Sequence, residues 1–311
     1  MIDSFRDYDK SDIKNSVENT YKNMLCEQTL DNVVEIMKNT FTGQSNKYDI
    51  WEIINKLNTI VDESDPDTEL PQIVHFYQTA EEIRNKYIQT NYMLKDIPIR
   101  TLFTEKEWYN VPQKFRHLYN TSIDQLYSHI KYWDWFILVG FIHDFGKVLL
   151  LDEFGKLPQH FVVGDTFPLG NKLNKNYVYH DKNFHKDNPD LQVNIYLDKC
   201  GFDNVIFSWG HDEYMAKLLE NNFTYLPKEA IYIIRYHSFY SWHSPSNEIR
   251  GYAHLANDMD WYMLPLLKCF QKADLYSKSD TYPSPEHTNL YNAIIEKYIP
   301  GKELHIPASY I

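Results

Sequence analysis

Thirteen histidines are spread along the 311 residues of the chain, and three of them are followed directly by an aspartate. These three are His143, His180 and His211. An imidazole beside a carboxylate can bind a metal ion, and it can equally form a buried hydrogen-bonded pair. The dipeptide alone does not separate these two roles, so the surrounding sequence must do so.

His143 and Asp144 interrupt the most apolar segment of the chain, residues 133–151. This segment is predicted to be buried, and burying a carboxylate without partners costs several kcal/mol. Coordination of a metal ion offsets this cost, and a buried His-Asp hydrogen bond is the alternative. His180, in contrast, lies among Asn, Lys and Tyr residues, where a solvated turn is predicted.

Three other histidines and one aspartate occur where apolar residues recur at helical spacing, so their side chains are predicted to face the core. They are His75, His211, His237 and Asp274. Together with the His143 pair they make six buried ligands on five helical segments, without a cysteine. Such a set suits iron, manganese or zinc, and spacing alone does not choose among them. Asp144 is the natural bridge between two ions, because its carboxylate has two oxygens.

Lys147 follows His143 by four residues and Asp144 by three. On a helix it would project from the same face as both residues. A cation beside a metal centre suggests a group that holds substrate. The alternative is a lysine at a helix end whose amine reaches solvent.

The elements that position these residues are predicted to be helices. The predicted helical regions are residues 12–40 (one or two helices), 49–60, a helix opened by Pro71, 203–221, 227–240 and 258–277. Residues 155–200 are predicted to form long loops. Residues 85–132 are predicted to be an insertion that forms an irregular or partly helical surface segment, since Pro98 and Pro112 interrupt its weak periodicity.

The composition favours one globular, all-α domain over residues 1–311. Hydrophobic residues make up 43% and charged residues 24%, which excludes a disordered chain. The ten glycines are too few for a sandwich or barrel of many short strands and tight turns.

Charge and cysteine content exclude several classes of partner. The net charge of -12 disfavours nucleic acid, and the longest apolar run, residues 135–142, is far shorter than the roughly 20 residues that span a bilayer. Three scattered cysteines are too few for a disulfide framework. No secretory signal is evident at the N-terminus. We therefore expect a cytoplasmic monomer with no nucleic-acid or membrane partner.

Longer stretches of sequence around these residues resemble those of a known family. They are residues 62–67, 75–84 (HFYQTAEEIR), 135–147, 163–168, 187–191, 208–214, 234–240 and 274–276. With these blocks the chain resembles the histidine-aspartate (HD) domain superfamily and, within it, the myo-inositol oxygenase family. The resemblance implies an HD-domain helical bundle and a di-iron oxygenase that cleaves myo-inositol with dioxygen as co-substrate to give D-glucuronate.

The resemblance also implies roles for single residues. One iron would be held by His75, His143, Asp144 and Asp274, and the other by Asp144, His211 and His237. The implied catalytic residues are Asp144 and Lys147. The implied substrate-binding residues are Arg6, Asp62, Glu63, Ser64, Lys147, Gly164, Asp165, His237 and Ser238.

The insertion at residues 85–132 departs from the pattern of the family. If the insertion only bulges outward, it should not affect the reaction. If it folds over the site, it could change which substrate binds there. His117 and His129 within it are predicted to be surface residues.

Three alternatives remain at this stage. A metal-dependent phosphohydrolase of the HD type would use a similar site with two metal ions. It would usually need several basic residues to bind phosphate. A related oxygenase could act on another polyol or a phosphonate. A binding module without catalysis is the third.

Overall fold

The structure is a computed structural model that describes residues 14–65, 71–244, 250–275 and 284–307. Within these ranges the fold is mainly helical, as predicted, with thirteen α-helices and one two-stranded antiparallel sheet. The α-helices are α1 (Lys14–Glu27), α2 (Leu30–Thr40), α3 (Ile50–Leu57), α4 (Gln72–Tyr87), α5 (Glu105–Asn110), α6 (Gln113–Leu118), α7 (Ile123–Leu126), α8 (Asp134–Ile142), α9 (His211–Asn221), α10 (Lys228–Tyr236), α11 (Tyr240–His243), α12 (Asp258–Asp274) and α13 (Pro285–Tyr298). The strands are β1 (Ser45–Asp49) and β2 (Glu303–Pro307).

Short 3₁₀ helices connect many of these elements. They are Thr90–Tyr92, Ile99–Leu102, His143–Leu150, Asp152–Phe154, Gln159–Phe161, His180–Lys182, Phe184–Asp187, Pro189–Leu191, Phe202–Asn204 and Pro300–Lys302. Residues 155–200 contain only such turns, which confirms the predicted long loops. None of the helices in the described ranges is both long and apolar enough to cross a bilayer.

Helix α8 is the centre of the fold. All nine of its residues are buried, as expected for a helix that is apolar on every side. It packs against α4, α10, α12 and α13. The approach to α4 depends on Gly140, because a Cβ added there would lie 3.0 Å from the Cα of Ala80.

The apolar segment 133–151 is not one α-helix. Helix α8 ends at Ile142, and a 3₁₀ helix continues from His143 to Leu150. Side chains three residues apart eclipse each other in a 3₁₀ helix, so Lys147 stacks on Asp144. A Cβ added at Gly146 would lie 1.9 Å from the carbonyl oxygen of His211. Only glycine therefore lets this turn touch the start of α9.

The predicted helix at 203–221 was wrong in its first part, because α9 begins only at His211. Residues Phe202–Asn204 form a short 3₁₀ helix, and residues 206–211 make backbone hydrogen bonds to the loop 162–169. Ser208 N donates to Phe167 O at 2.8 Å, and His211 N donates to Val162 O at 2.8 Å. These long-range hydrogen bonds take the place of the backbone hydrogen bonds of the helix that the local sequence predicted.

The segment 85–132 is partly helical, as predicted, but it also contributes to the core. Phe115, Tyr119 and Tyr127 are buried. The Tyr119 hydroxyl donates to the carbonyl oxygen of Trp261 on α12. The predicted surface positions of His117 and His129 are confirmed, since both are exposed.

Candidate metal centre

Six side chains from five elements converge where helices begin or end. Most of them stand at a helix terminus, where a side chain can point along the helix axis toward neighbouring elements. They are His75 in the first turn of α4, His143 and Asp144 at the start of the 3₁₀ helix, His211 as the first residue of α9, His237 directly after α10, and Asp274 as the last residue of α12. We call these six residues the His-Asp cluster.

Asp144 lies in the middle of the His-Asp cluster, and its two oxygens face different histidines. Its Oδ1 is 3.1 Å from Nε2 of His211 and 3.5 Å from Nε2 of His237. Its Oδ2 is 3.5 Å from Nε2 of His143 and 3.7 Å from Nε2 of His75. A carboxylate placed in this way can bridge two ions.

Asp274 faces the histidine pair of His75 and His143. Its Oδ1 is 3.1 Å from Nε2 of His75 and 3.3 Å from Nε2 of His143. The side chain of His75 is 26% exposed and that of Asp144 is 5% exposed. The His75 side of the cluster is therefore the side nearer to solvent.

Three of the histidines are held by backbone carbonyl oxygens. Nδ1 of His143, His211 and His237 lies 3.0, 2.7 and 2.8 Å from the carbonyl oxygens of Gly140, Val162 and Ile234. A carbonyl only accepts, so each Nδ1 carries the hydrogen, and in a neutral ring Nε2 is left with its lone pair.

These Nε2 atoms point at carboxylate oxygens and at each other. Nε2 of His211 and Nε2 of His237 are 3.1 Å apart. Lone pairs that converge in this way repel unless a cation lies between them. Ligands bound at about 2.1 Å and at right angles would be about 3 Å apart. The donor set and its spacing therefore fit a metal ion.

Both carboxyl groups are held in the anionic form that a metal requires. Burial would raise the pKa of Asp144, but its contacts with Lys147 and with His143, His211 and His237 together outweigh burial and hold its pKa well below the usual range. Burial opposes ionisation of Asp274 as well, and His143 and His75 lower its pKa in the same way.

Lys147 joins the His-Asp cluster to the loop at residues 61–65. Its Nζ is 2.8 Å from Oδ2 of Asp144 and 2.8 Å from Oδ2 of Asp62. Burial alone would lower the pKa of Lys147, but the two carboxylates raise it above its usual range. Lys147 is therefore a buried ammonium group, not a surface lysine at a helix end.

The loop at residues 61–65 is tied down over Lys147. The backbone N and the Oγ of Ser64 donate to Oδ1 of Asp62 at 2.8 and 2.7 Å. The backbone N of Glu63 donates to Oε1 of Gln159 at 3.3 Å. Asp62 and Ser64 are buried, so two of the three predicted residues of this loop face the interior.

Gly164 and Asp165 both lie against helix α1. Oδ1 of Asp165 accepts a hydrogen bond from the Tyr21 hydroxyl at 2.9 Å. Gly164 has a φ of 101°, and a Cβ there would lie 2.8 Å from Sδ of Met24. The sequence does not mark Tyr21 as a residue of this site, because its spacing with apolar neighbours indicates only a core position.

Ser238 reaches the His-Asp cluster directly. Its Oγ is 3.4 Å from Nε2 of His211, and its carbonyl oxygen accepts from the backbone N of Thr166 at 2.9 Å. This bond ties the Gly164 loop to the cluster. The aspartate after His211 takes no part, since Asp212 accepts from Oγ1 of Thr166 at 2.5 Å. Arg6 lies outside the described residues.

Comparison with known proteins identifies the family to which this chain belongs. The sequence model of a family described as Myo-inositol oxygenase matches residues 14–102 and 99–306. The chain is 38% identical to an inositol oxygenase of Dictyostelium discoideum over 313 aligned positions, which cover 98% of this chain and 90% of the relative. It is also 38% identical to an inositol oxygenase of Homo sapiens, with 96% of this chain and 90% of the relative covered. Inositol oxygenase 2 of Arabidopsis thaliana is 39% identical, with 96% and 82% covered. The chain therefore belongs to the myo-inositol oxygenase family.

Proposed function

We propose that this chain is a di-iron oxygenase that cleaves the ring of myo-inositol with dioxygen to give D-glucuronate. The observation that carries the proposal is the position of Asp144, whose two oxygens face two separate histidine pairs. Family membership supports the substrate and the reaction class.

The proposed ligands divide into two sets that share Asp144. His75, His143 and Asp274 complete the first set, and their donor atoms lie within 4.8 Å of one another. His211 and His237 complete the second set. Nitrogen and oxygen donors without thiolate suit iron. Bound iron would supply Lewis acidity toward substrate hydroxyls and electrons toward dioxygen.

The overall reaction balances without another reductant. Cleavage of one carbon–carbon bond adds one oxygen atom to the carbon that becomes the carboxylate, and the second oxygen atom leaves as water. The four electrons that the substrate loses are the four that dioxygen takes up. A site for this reaction must therefore bind a neutral polyol and dioxygen, and it needs no site for an organic cofactor.

The proposed substrate contacts are polar groups beside the cluster. The ammonium group of Lys147 has three N–H donors, and Asp144 and Asp62 accept two of them, so the third can donate to a substrate hydroxyl. Ser238 can do the same next to His211. Further proposed contacts are Arg6, Asp62, Glu63, Ser64, Gly164, Asp165 and His237.

The phosphohydrolase alternative gains no support from the described cations. Arg235, two residues before His237 in the chain, is a second basic residue that a phosphohydrolase could use for phosphate. Its guanidinium group instead pairs with Glu213 at 2.8 Å and with Glu220 at 2.7 Å. Lys147 already pairs with two carboxylates, so it is a poor ligand for a third anion.

Oxygen uptake by the iron-loaded protein tests the proposal. The protein is purified without air and loaded with iron, and oxygen consumption is followed after addition of myo-inositol, with the product identified by mass spectrometry. We expect one glucuronate for each dioxygen consumed. A sample with two bound irons and no uptake would overturn the proposal, and uptake only with another polyol or a phosphonate would change the substrate.

A further inference from the structure

A second buried charge cluster lies outside the His-Asp cluster. Oε1 of Glu107, on α5, accepts from Nζ of Lys268 at 2.6 Å and from Nη2 of Arg250 at 3.3 Å. The side chains of Glu107, Lys268 and Arg250 are 7%, 5% and 2% exposed. Ions this deeply buried are retained only when their geometry is well satisfied.

The carboxylate of Glu107 is fixed from both sides. Its Oε2 accepts from the backbone N of Thr104 at 3.0 Å, which completes the capping box of α5. Aromatic rings surround the cations. The guanidinium carbon of Arg250 lies 5.3 Å from the centre of the Trp242 ring, and Nζ of Lys268 lies 5.1 Å from the centre of the Phe103 ring.

Lys268 continues from this cluster toward the proposed iron ligands. Its Nζ also donates to the carbonyl oxygen of His243 at 3.1 Å. Nε2 of His243 in turn donates to the carbonyl oxygen of His237 at 2.8 Å. Lys268 lies on α12, the helix that ends in Asp274. One ammonium group thus connects two elements that carry members of the His-Asp cluster.

We propose that Lys268 is a positioning residue for the metal centre. It joins helix α12, which ends in Asp274, to the turn that follows His237, and Glu107 holds its ammonium group in place. The inference rests on the proposed function, because it assumes that His237 and Asp274 bind iron. The segment 85–132, which supplies Glu107, thereby supports the site from a distance.

The positioning role can be separated from a general role in stability. Burial and the neighbouring Arg250 lower the pKa of Lys268 to about 8, so its charge is unfavourable in this environment. The variant Lys268→Met would leave Glu107 and Arg250 as a neutral pair. We therefore expect it to fold, while the hydrogen bond to His243 is lost.

The test measures iron release from the holoprotein to an excess of chelator, together with the thermal midpoint of unfolding. We expect Lys268→Met to release iron about 10-fold faster than the wild type, as is typical when a partner behind the ligands is lost, with a midpoint within a few degrees of the wild type. Lys268→Arg should restore most of the slow release. Lys272→Met is the matched control, because Lys272 lies one turn further along α12 and its Nζ is 3.5 Å from the carbonyl oxygen of Thr101.

The outcomes distinguish a failure of the positioning role from a failure of the proposed function. Unchanged release in Lys268→Met would overturn the positioning role, and so would faster release that occurs only together with a collapse of the thermal midpoint. Faster release in Lys272→Met to the same extent would also overturn it. A wild type that binds fewer than two irons would overturn the ligand assignment itself.

Discussion

At the scale of the residue, the arrangement around Asp144 explains why a carboxylate is needed in an apolar segment. Four imidazole nitrogens and one ammonium group lie within 3.7 Å of its two oxygens. The proposed bridge between two metal ions therefore depends on both oxygens being anionic. Replacing one oxygen should be enough to disrupt the cluster.

Asp144→Asn should prevent the chain from holding two irons. The amide keeps the shape of the side chain, but it offers one neutral acceptor where two histidine pairs require two anionic oxygens. We expect at most one tightly bound iron by elemental analysis and loss of oxygen uptake. Asp212→Asn is the matched control, since Asp212 also follows a histidine but bonds to Thr166. Two tightly bound irons in Asp144→Asn would refute the bridging role.

Lys147→Ala should weaken substrate binding and leave iron in place. The change removes a donor to the substrate and one positive charge beside the ligands, so the site becomes more favourable for a cation. A hydrogen bond from a charged donor contributes about 1.5–3 kcal/mol, so we expect KM for myo-inositol to rise about 10-fold or more. Steady-state kinetics and iron analysis on the same preparation measure both effects, and an unchanged KM would move Lys147 out of the substrate site.

At the scale of the element, the proposed ligands depend on how helix ends are held together. Helix α9 begins with His211, and α10 ends just before His237. Arg235 on α10 pairs with Glu213 and Glu220 on α9. Burial raises the pKa of Glu213, and the charge of Arg235 counteracts this effect. The pair thus fixes the distance between the two histidines.

Arg235→Met should weaken both the fold and the second half of the metal centre. It leaves the half-buried carboxylate of Glu213 with Lys217 as its described ion-pair partner, which should cost about 1.5–3 kcal/mol of unfolding free energy. Urea titration of the metal-free protein measures this cost. Lys217→Met is the control, because Lys217 binds the same carboxylate at 3.1 Å but stays on α9. Equal losses in the two variants would mean that the bridge between helices has no special role.

The sequence identified the six members of the His-Asp cluster because polar groups interrupt apolar helices at His143, His237 and Asp274. It could not locate the start of α9, because hydrogen bonds between residues 206–211 and 162–169 decide where that helix begins. The pairing of β1 with β2 is missed for a similar reason, since partners such as Tyr48 and Leu304 are far apart in the chain. Periodicity reports on local burial, and it carries no information about such long-range partners.

At the scale of the whole molecule, the His-Asp cluster ties together segments from most of the chain length. Helices α4, α9, α10 and α12 and the 3₁₀ helix at His143 all end or begin there. Without an ion, lone pairs and carboxylate oxygens face one another across 3.1 to 3.7 Å. An ion that binds only the folded arrangement therefore stabilises every one of these elements at once.

Removal of iron should lower the stability of the whole fold. A ligand that binds only the folded state adds about 2.7 kcal/mol when its free concentration is 100 times its dissociation constant. We expect the thermal midpoint to fall on chelation and to recover when ferrous iron is added back without air. The Asp144→Asn variant should show a smaller difference between its iron-loaded and chelated forms, because it cannot hold both ions. A wild-type midpoint that is the same with and without iron would show that the cluster does not bind iron in the folded state.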